Sequence, residues 1–152
     1  ERGEVMVAIV IQLIGAFFGT LGFCVLLNIP KKIWICSSFV GTAAWGMYLA
    51  AGNFTEAVVT LNFLAALTAA VLSQILARFF RAPVTLFLIP GIFPMVPGAG
   101  MYEIAYNAVR GDQELVNYYI MQTLQIAGAI AVGIFLADIV QRVIMPKSIK
   151  KS

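Results

Sequence analysis

The chain has 152 residues, 61% hydrophobic and only 11% charged, with a net charge of +3 and a mean hydropathy of +0.94. A soluble domain carries about 25% charged residues, so too few charges are present to cover a water-facing surface. The pI near 9.0 does not indicate nucleic acid, because most basic residues sit at the ends of apolar runs and form no stripe with interleaved aromatics.

The first apolar run extends from Val5 to Leu27, interrupted only by Gln12 and Thr20. It is too long for a signal-peptide core, and no basic stretch leads it. The first residue is Glu1 rather than Met, as expected if the native start has been removed. Asn28-Ile29-Pro30-Lys31-Lys32 ends the run with a proline break and two positive charges. A second run covers Ile33 to Ala51. A third covers Ala57 to Phe80, after the polar turn from Gly52 to Glu56, and closes on Arg78, Arg81 and Pro83. Each is long enough for the roughly 30 Å hydrocarbon core of a bilayer.

The fourth segment differs. Val84 to Ile89 is apolar, and the stretch Pro90 to Gly100 then holds three prolines and three glycines in eleven residues. No regular helix tolerates that composition. Helical character returns from Met101 to Arg110. The segment reads as one crossing built of two half-helices with an unwound middle. A final run from Val116 to Val143 exceeds the bilayer thickness, so it tilts or projects, and Lys147, Lys150 and Lys151 follow it. No internal repeat stands out. The expectation is an all-α integral membrane protein, a single transmembrane domain over residues 1–152. It has about five transmembrane helices, the fourth broken by the Pro-Gly-rich segment.

The charges orient the spans. With Lys31 and Lys32 in the cytoplasm, Arg78, Arg81, Arg142, Lys147, Lys150 and Lys151 fall on the same side, eight of ten basic residues. Only Arg2 and Arg110 fall outside, together with Glu1, Glu4, Glu56, Asp112 and Glu114. The N-terminus is then outside and the C-terminus inside. A re-entrant fourth segment would instead place the lysine tail outside.

Unwound backbone at membrane depth leaves N–H and C=O groups that lipid cannot satisfy. Transporters use such breaks to hold ligands. The start of the second half-helix at Gly98, Ala99 and Gly100 offers accessible N–H groups to a carboxylate. The alternative is a proline kink that only shapes a bundle. Glu103 follows one turn later in an apolar context, and intramembrane acids mark pathways or proton relays. At helical spacing it shares a face with Tyr106, Asn107 and Arg110. Glu103 facing outer solvent, or pairing with Arg110, is the competing reading. Tyr118, Gln122 and Gln125 form a polar stripe that serves either substrate coordination or interhelical hydrogen bonding. Asp138 and Arg142 read as a local i,i+4 ion pair, and Gln12 as a packing residue.

Gly15 with Gly19, Ala65 with Ala69, and Ala129 with Gly133 are spaced for close helix approach, within this chain or with another. Cys24 and Cys36 read as small buried hydrophobes. No metal-ligand spacing is present, and the absence of histidine removes the commonest metal ligand and general base. No nucleophile–base pair and no phosphate loop with its lysine appear, so the sequence calls for no enzyme activity, no ATP hydrolysis and no cofactor.

Pro90-Gly91 and Pro97-Gly98, followed by Ala99-Gly100-Met101-Tyr102, resemble the threonine/serine exporter family, in particular its small five-span membrane subunit. Asn28-Ile29-Pro30 and the arginine-bearing end of the third run before Pro83 are similar as well. The resemblance covers essentially the whole chain in length and span order. It implies a subunit of a secondary exporter of small polar metabolites, threonine and serine among them, with dicarboxylates linked to some two-component members. It carries Pro90, Gly91, Pro97, Gly98, Asn28 and Pro30 over as motif positions. It also implies a larger partner subunit, since fused members carry a second helical membrane domain, and a bacterial cytoplasmic (inner) membrane as the location. Glu103, Gln122 and Gln125 rest on the physical argument alone. Membrane lipid, a larger subunit or further copies of the chain, and a small metabolite are the expected partners. A structural subunit that scaffolds a larger transporter without binding substrate is the alternative.

Overall fold

In lipid every backbone polar group must find an intramolecular partner, so each apolar run becomes a helix and each helix end needs a cap. The computed structural model describes residues 2–144, with side chains for residues 3–143. Glu1, the side chain of Arg2, and Lys147, Lys150 and Lys151 therefore lie outside the described residues. Six α-helices follow one another: α1 Arg2–Leu26, α2 Trp34–Ala51, α3 Val58–Phe79, α4 Thr85–Gly91, α5 Gly98–Arg110 and α6 Gln113–Ile144. Short 3-10 turns occupy Lys31–Ile33 and Phe93–Met95. Among the described residues four helices are long and apolar enough to cross a membrane, and a fifth crossing is available if the bent pair Thr85–Met95 and Gly98–Arg110 counts as one.

The same device ends three helices. After α1, Asn28 adopts a left-handed φ of 52°, and Asn28 N–H and Ile29 N–H donate back to Val25 O (3.1 Å) and Cys24 O (3.0 Å). This is the Schellman arrangement, with asparagine in the position that favours glycine. Arg81 (φ 51°) repeats it after α3, where Ala82 N–H donates to Ala77 O at 2.9 Å. Gly111 (φ 78°) repeats it after α5, where Asp112 N–H donates to Asn107 O at 3.0 Å. Asp112 then caps α6, its Oδ1 accepting from Leu115 N–H at 3.2 Å. That cap starts α6 at Gln113, one turn ahead of the apolar run. At about 1.5 Å per residue α6 is about 48 Å long, well beyond the bilayer core.

The bundle is organised on α3, which packs against α2, α4 and α6. Ala65, Ala66, Ala69 and Ala70 are buried to 0–1% exposure. Lipid tails are as apolar as the helices, so close van der Waals packing of small residues, not exclusion from water, favours this association. Across the seam, a Cβ on Gly133 of α6 would lie 2.9 Å from Phe63 O, so only glycine lets the α6 backbone come this near. The outcome differs at Gly15, which has nothing within 4 Å, whereas Gly19 makes only ordinary contact with Phe93. Helix α1 touches α2, α4 and the broken segment and leaves most of its apolar surface outward.

The break is narrower than the composition suggests. Pro90 and Gly91 remain helical at the end of α4. The Phe93–Met95 turn takes up three further residues, leaving Ile92, Val96 and Pro97 outside any helical turn. Proline at position 90 removes the donor for Leu86 O, one turn earlier. Ser37 of α2 replaces it, its hydroxyl donating to Leu86 O at 3.2 Å. The two halves meet at a bend of 50°.

Candidate functional site

A cavity of about 310 Å³ opens beside the break. Pro94, Met95, Val96, Pro97, Ala99 and Gly100 form one wall, Trp45 and Tyr48 of α2 a second, and Val58 and Asn62 of α3 a third. Gln122, Thr123 and Ile126 of α6 close it. Trp45 and Tyr48, one turn apart, stack with ring centroids 4.8 Å apart and nearly parallel planes. Trp45 Nε1–H donates to Gln12 Oε1 at 3.3 Å, which ties α1 to α2.

The polar groups of this cavity are incompletely satisfied. Pro97 is the N-cap residue of α5 and supplies no side-chain cap. Among the described residues no acceptor meets the N–H groups of Ala99 or Gly100. Thr123 Oγ1 is buried without a hydrogen-bond partner. It lies so close to Gly100 that a Cβ there would be 2.5 Å from it. Asn62 is buried at 5% exposure. Its Nδ2 donates to Val58 O at 2.8 Å, and its Oδ1 has no donor among the described residues. Of these groups Thr123 Oγ1 is the one buried without a partner among the described residues, which is unfavourable by about 1–3 kcal/mol in a dry interior.

The expected site residues divide between this cavity and other places. Pro97, Ala99, Gly100 and Gln122 line it. Gly98 is exposed at the α5 start and does not. Pro90 and Gly91 are buried against α2, where a Cβ on Gly91 would lie 2.5 Å from Val40 Cγ1. Asn28 and Pro30 form the turn after α1. Glu103 is half-buried outside the lining, and Asn107 Nδ2–H donates to its Oε2 at 3.3 Å and to its backbone carbonyl at 2.8 Å. Arg110 turns to Tyr106 instead, with Nη1 3.3 Å from the phenol oxygen and the guanidinium 5.3 Å from the ring centre. Along the helical face that Glu103, Tyr106, Asn107 and Arg110 share, burial is uneven, with Asn107 buried, Glu103 half-buried and Tyr106 and Arg110 exposed. Gln125 and Tyr118 are exposed and do not line the cavity.

Asn62, Thr123, Trp45 and Tyr48 were missed by sequence reasoning. Asn62 had a usable signal, being the first strongly polar side chain of an apolar helix. Thr123 had none, since threonine is ordinary in membrane helices. Cys24 is buried, Cys36 half-buried, and both are free thiols. Asp138 and Arg142 pair at 2.8 Å as expected. Among the described residues no three Cys, Asp or Glu side chains gather for a metal ion.

No solved structure matches the chain. The family described as "Threonine/Serine exporter, ThrE" matches residues 12–140. That stretch runs from the middle of α1 to the last turns of α6 and includes the whole break and its cavity. With four to five apolar spans and a match over most of its length, the chain is a multi-pass membrane protein that belongs to the threonine/serine exporter family.

Proposed function

We propose that the chain is a subunit of a secondary exporter of small polar metabolites, amino acids such as threonine or serine or small carboxylates, in a bacterial cytoplasmic membrane. Substrate sits in the cavity beside the break. The observation that carries this reading is the gathering of the Ala99 and Gly100 N–H groups, Thr123, Asn62 and Gln122 around one space of about 310 Å³. That volume is at the lower end of small-molecule sites, about 300–1,000 Å³. The α5 N-terminus suits a carboxylate, and Asn62 Oδ1 and Gln122 suit an amino or hydroxyl group. Glu103, one turn beyond the cavity wall, serves as the proton or amine acceptor on the way out.

The bent segment crosses the membrane in this reading. A bend of 50° leaves both halves pointing the same general way, whereas a re-entrant hairpin needs a near reversal. With the basic helix ends inside, residues 1–152 form one transmembrane unit with the N-terminus outside. A larger partner subunit belongs to this reading, because α1 presents an apolar surface that no other described residue covers. The same surface supports the second reading, a subunit that scaffolds its partner without touching substrate.

The test is export of labelled serine or threonine from proteoliposomes holding the chain with its co-purified partner. Asn62→Ala and Gln122→Ala are expected to lower export while leaving complex assembly intact, and unchanged export in both would favour the scaffold. Glu103→Gln is expected to flatten the pH dependence of export; an unaltered profile and rate would remove Glu103 from the pathway.

A further inference from the structure

The level of the cavity in the membrane follows from the neighbours of each helix. Helix α4 climbs α2. Leu86 meets Ser37 near the start of α2, and Gly91 faces Val40 and Gly41 in its middle. Pro94 to Pro97 then share the cavity with Trp45 and Tyr48 in its last two turns. By Pro97 the chain is within a turn of the end of α2, and α5 runs on from there. Helix α6 gives the same level. Ala137 and Val140 flank Val71 and Gln74 of α3, and Gly133 lies against Phe63 and Leu67. Ile126 shares the cavity with Val58, the first residue of α3. Residues 113–125 therefore run past the start of α3, by about 20 Å at about 1.5 Å per residue.

The bilayer cannot hold that surplus. A helix of 32 residues, about 48 Å long, fits a core of about 30 Å only at a tilt of about 50°. Membrane helices tilt by roughly 0–40°. Helix α3, about 33 Å long, matches the core instead. The hairpin of α5 and residues 113–125 thus stands outside the core, on the side away from Lys31 and Lys32. Its chemistry grades to match. From Ile126 to Val140 the one charged residue is Asp138. Tyr102, Tyr118 and Tyr119 come at the next level, and Tyr106 one turn further out. With Tyr48, all five tyrosines of the chain are at this end, and tyrosine concentrates at the headgroup level of a bilayer. Beyond them, six of the eleven residues from Asn107 to Asn117 are Asn, Arg, Asp, Gln or Glu.

Toward the opposite side the walls of the cavity close. One turn down from Tyr48, Asn62 and Ile126 are Ala44, Ala66 and Ile130, which pack with Met95 into one apolar cluster, each 9% exposed or less. A second cluster, with Cys24, Ala77 and Phe87, follows toward the inner end. Irregular backbone at membrane depth is tolerated where it lines a water-filled space. We infer that the cavity at the break is a water-filled mouth that opens on the side of the α5–α6 hairpin and is sealed from the other side by these two clusters. The hairpin is its rim. Gly100 and Thr123 meet at the base of that rim, and Glu103 is one turn above. What enters the mouth rests on the substrate reading above. A metabolite held there has already passed the apolar barrier, and it leaves outward on the orientation proposed for the chain.

The experiment is thiol labelling of the full chain in bacterial cells and in inside-out vesicles made from them, with a charged, membrane-impermeant methanethiosulfonate. The wild-type chain, with its two free cysteines, is the blank. Gln122→Cys places a thiol in the cavity, and Asn62→Cys replaces it should that variant not fold. Val109→Cys marks the hairpin, where the side chain is 91% exposed, and Lys32→Cys marks the opposite side. Gln122→Cys is expected to react from the side on which Val109→Cys reacts, with complete loss of labelling from the side of Lys32→Cys. Reaction of Gln122→Cys from the Lys32 side, from both sides or from neither overturns the mouth, the cavity then being open the other way, a channel or dry. A Val109→Cys thiol that the reagent reaches from neither side overturns the placement of the hairpin. Joint labelling of Gln122→Cys and Val109→Cys from the cytoplasmic face supports the mouth and overturns the proposed orientation. Labelling as expected, with export unchanged in both Asn62→Ala and Gln122→Ala, supports the mouth and overturns the substrate reading alone.

Discussion

Ser37 and Pro90 are coupled through a carbonyl that belongs to neither: the Ser37 hydroxyl donates to Leu86 O, the acceptor that Pro90 leaves without its helical partner. Ser37 is fully buried, so Ser37→Ala leaves that oxygen unsatisfied at membrane depth. The expected loss of stability is about 1–3 kcal/mol. Pro90→Ala restores an N–H, and in that background Ser37→Ala is expected to be milder. A double-mutant cycle read by unfolding in detergent checks this, and additive losses would show that the two residues act separately.

Small residues of similar spacing have unequal roles. Gly133→Ala pushes a methyl group against Phe63 O and Leu67 N of α3, and backbone cannot move aside cheaply. A destabilisation of about 1–3 kcal/mol is expected, as for overpacking elsewhere. Gly15→Ala meets nothing within 4 Å and is expected to leave the stability of the isolated chain unchanged. If Gly15→Ala weakens recovery of a co-purified partner in pull-down, the open face of α1 is the contact.

Arg81 occupies a left-handed conformation that L-residues with long side chains reach at a cost of about 1–2 kcal/mol. Asparagine tolerates it better, as Asn28 does after α1. Arg81→Asn is therefore expected to raise the melting temperature of the purified chain. A fall would mean that Arg81 makes a compensating contact of its own.

Gln122 and Gln125 look equivalent in sequence but face different surroundings. Gln122→Ala and Asn62→Ala are each expected to lower export about tenfold, the equivalent of one or two lost hydrogen bonds to a polar substrate. Gln125→Ala is expected to leave export near the wild-type rate, because its side chain is exposed away from the cavity. Equal losses at 122 and 125 would move the substrate off the cavity wall.

The number of apolar runs, their lengths and the charges at their ends were enough, before any coordinates, to specify an all-α membrane protein. They also placed a break within Pro90–Gly100, though the structure keeps Pro90 and Gly91 in α4 and starts α5 at Gly98. Those features are local, because span length follows from bilayer thickness, and proline and glycine act on the backbone where they stand. The tertiary structure decided which polar groups meet. It brought Asn62 and Thr123 to Gln122 and Gly100, left Gln125 exposed, buried Asn107 while Tyr106 and Arg110 stayed exposed, and supplied Ser37 to Leu86. In water a helix buries its apolar stripe, so periodicity reveals the inward face. In lipid both faces are apolar, and the inward side is chosen by how closely backbones fit, as at Gly133 against Phe63, which is a property of two helices together.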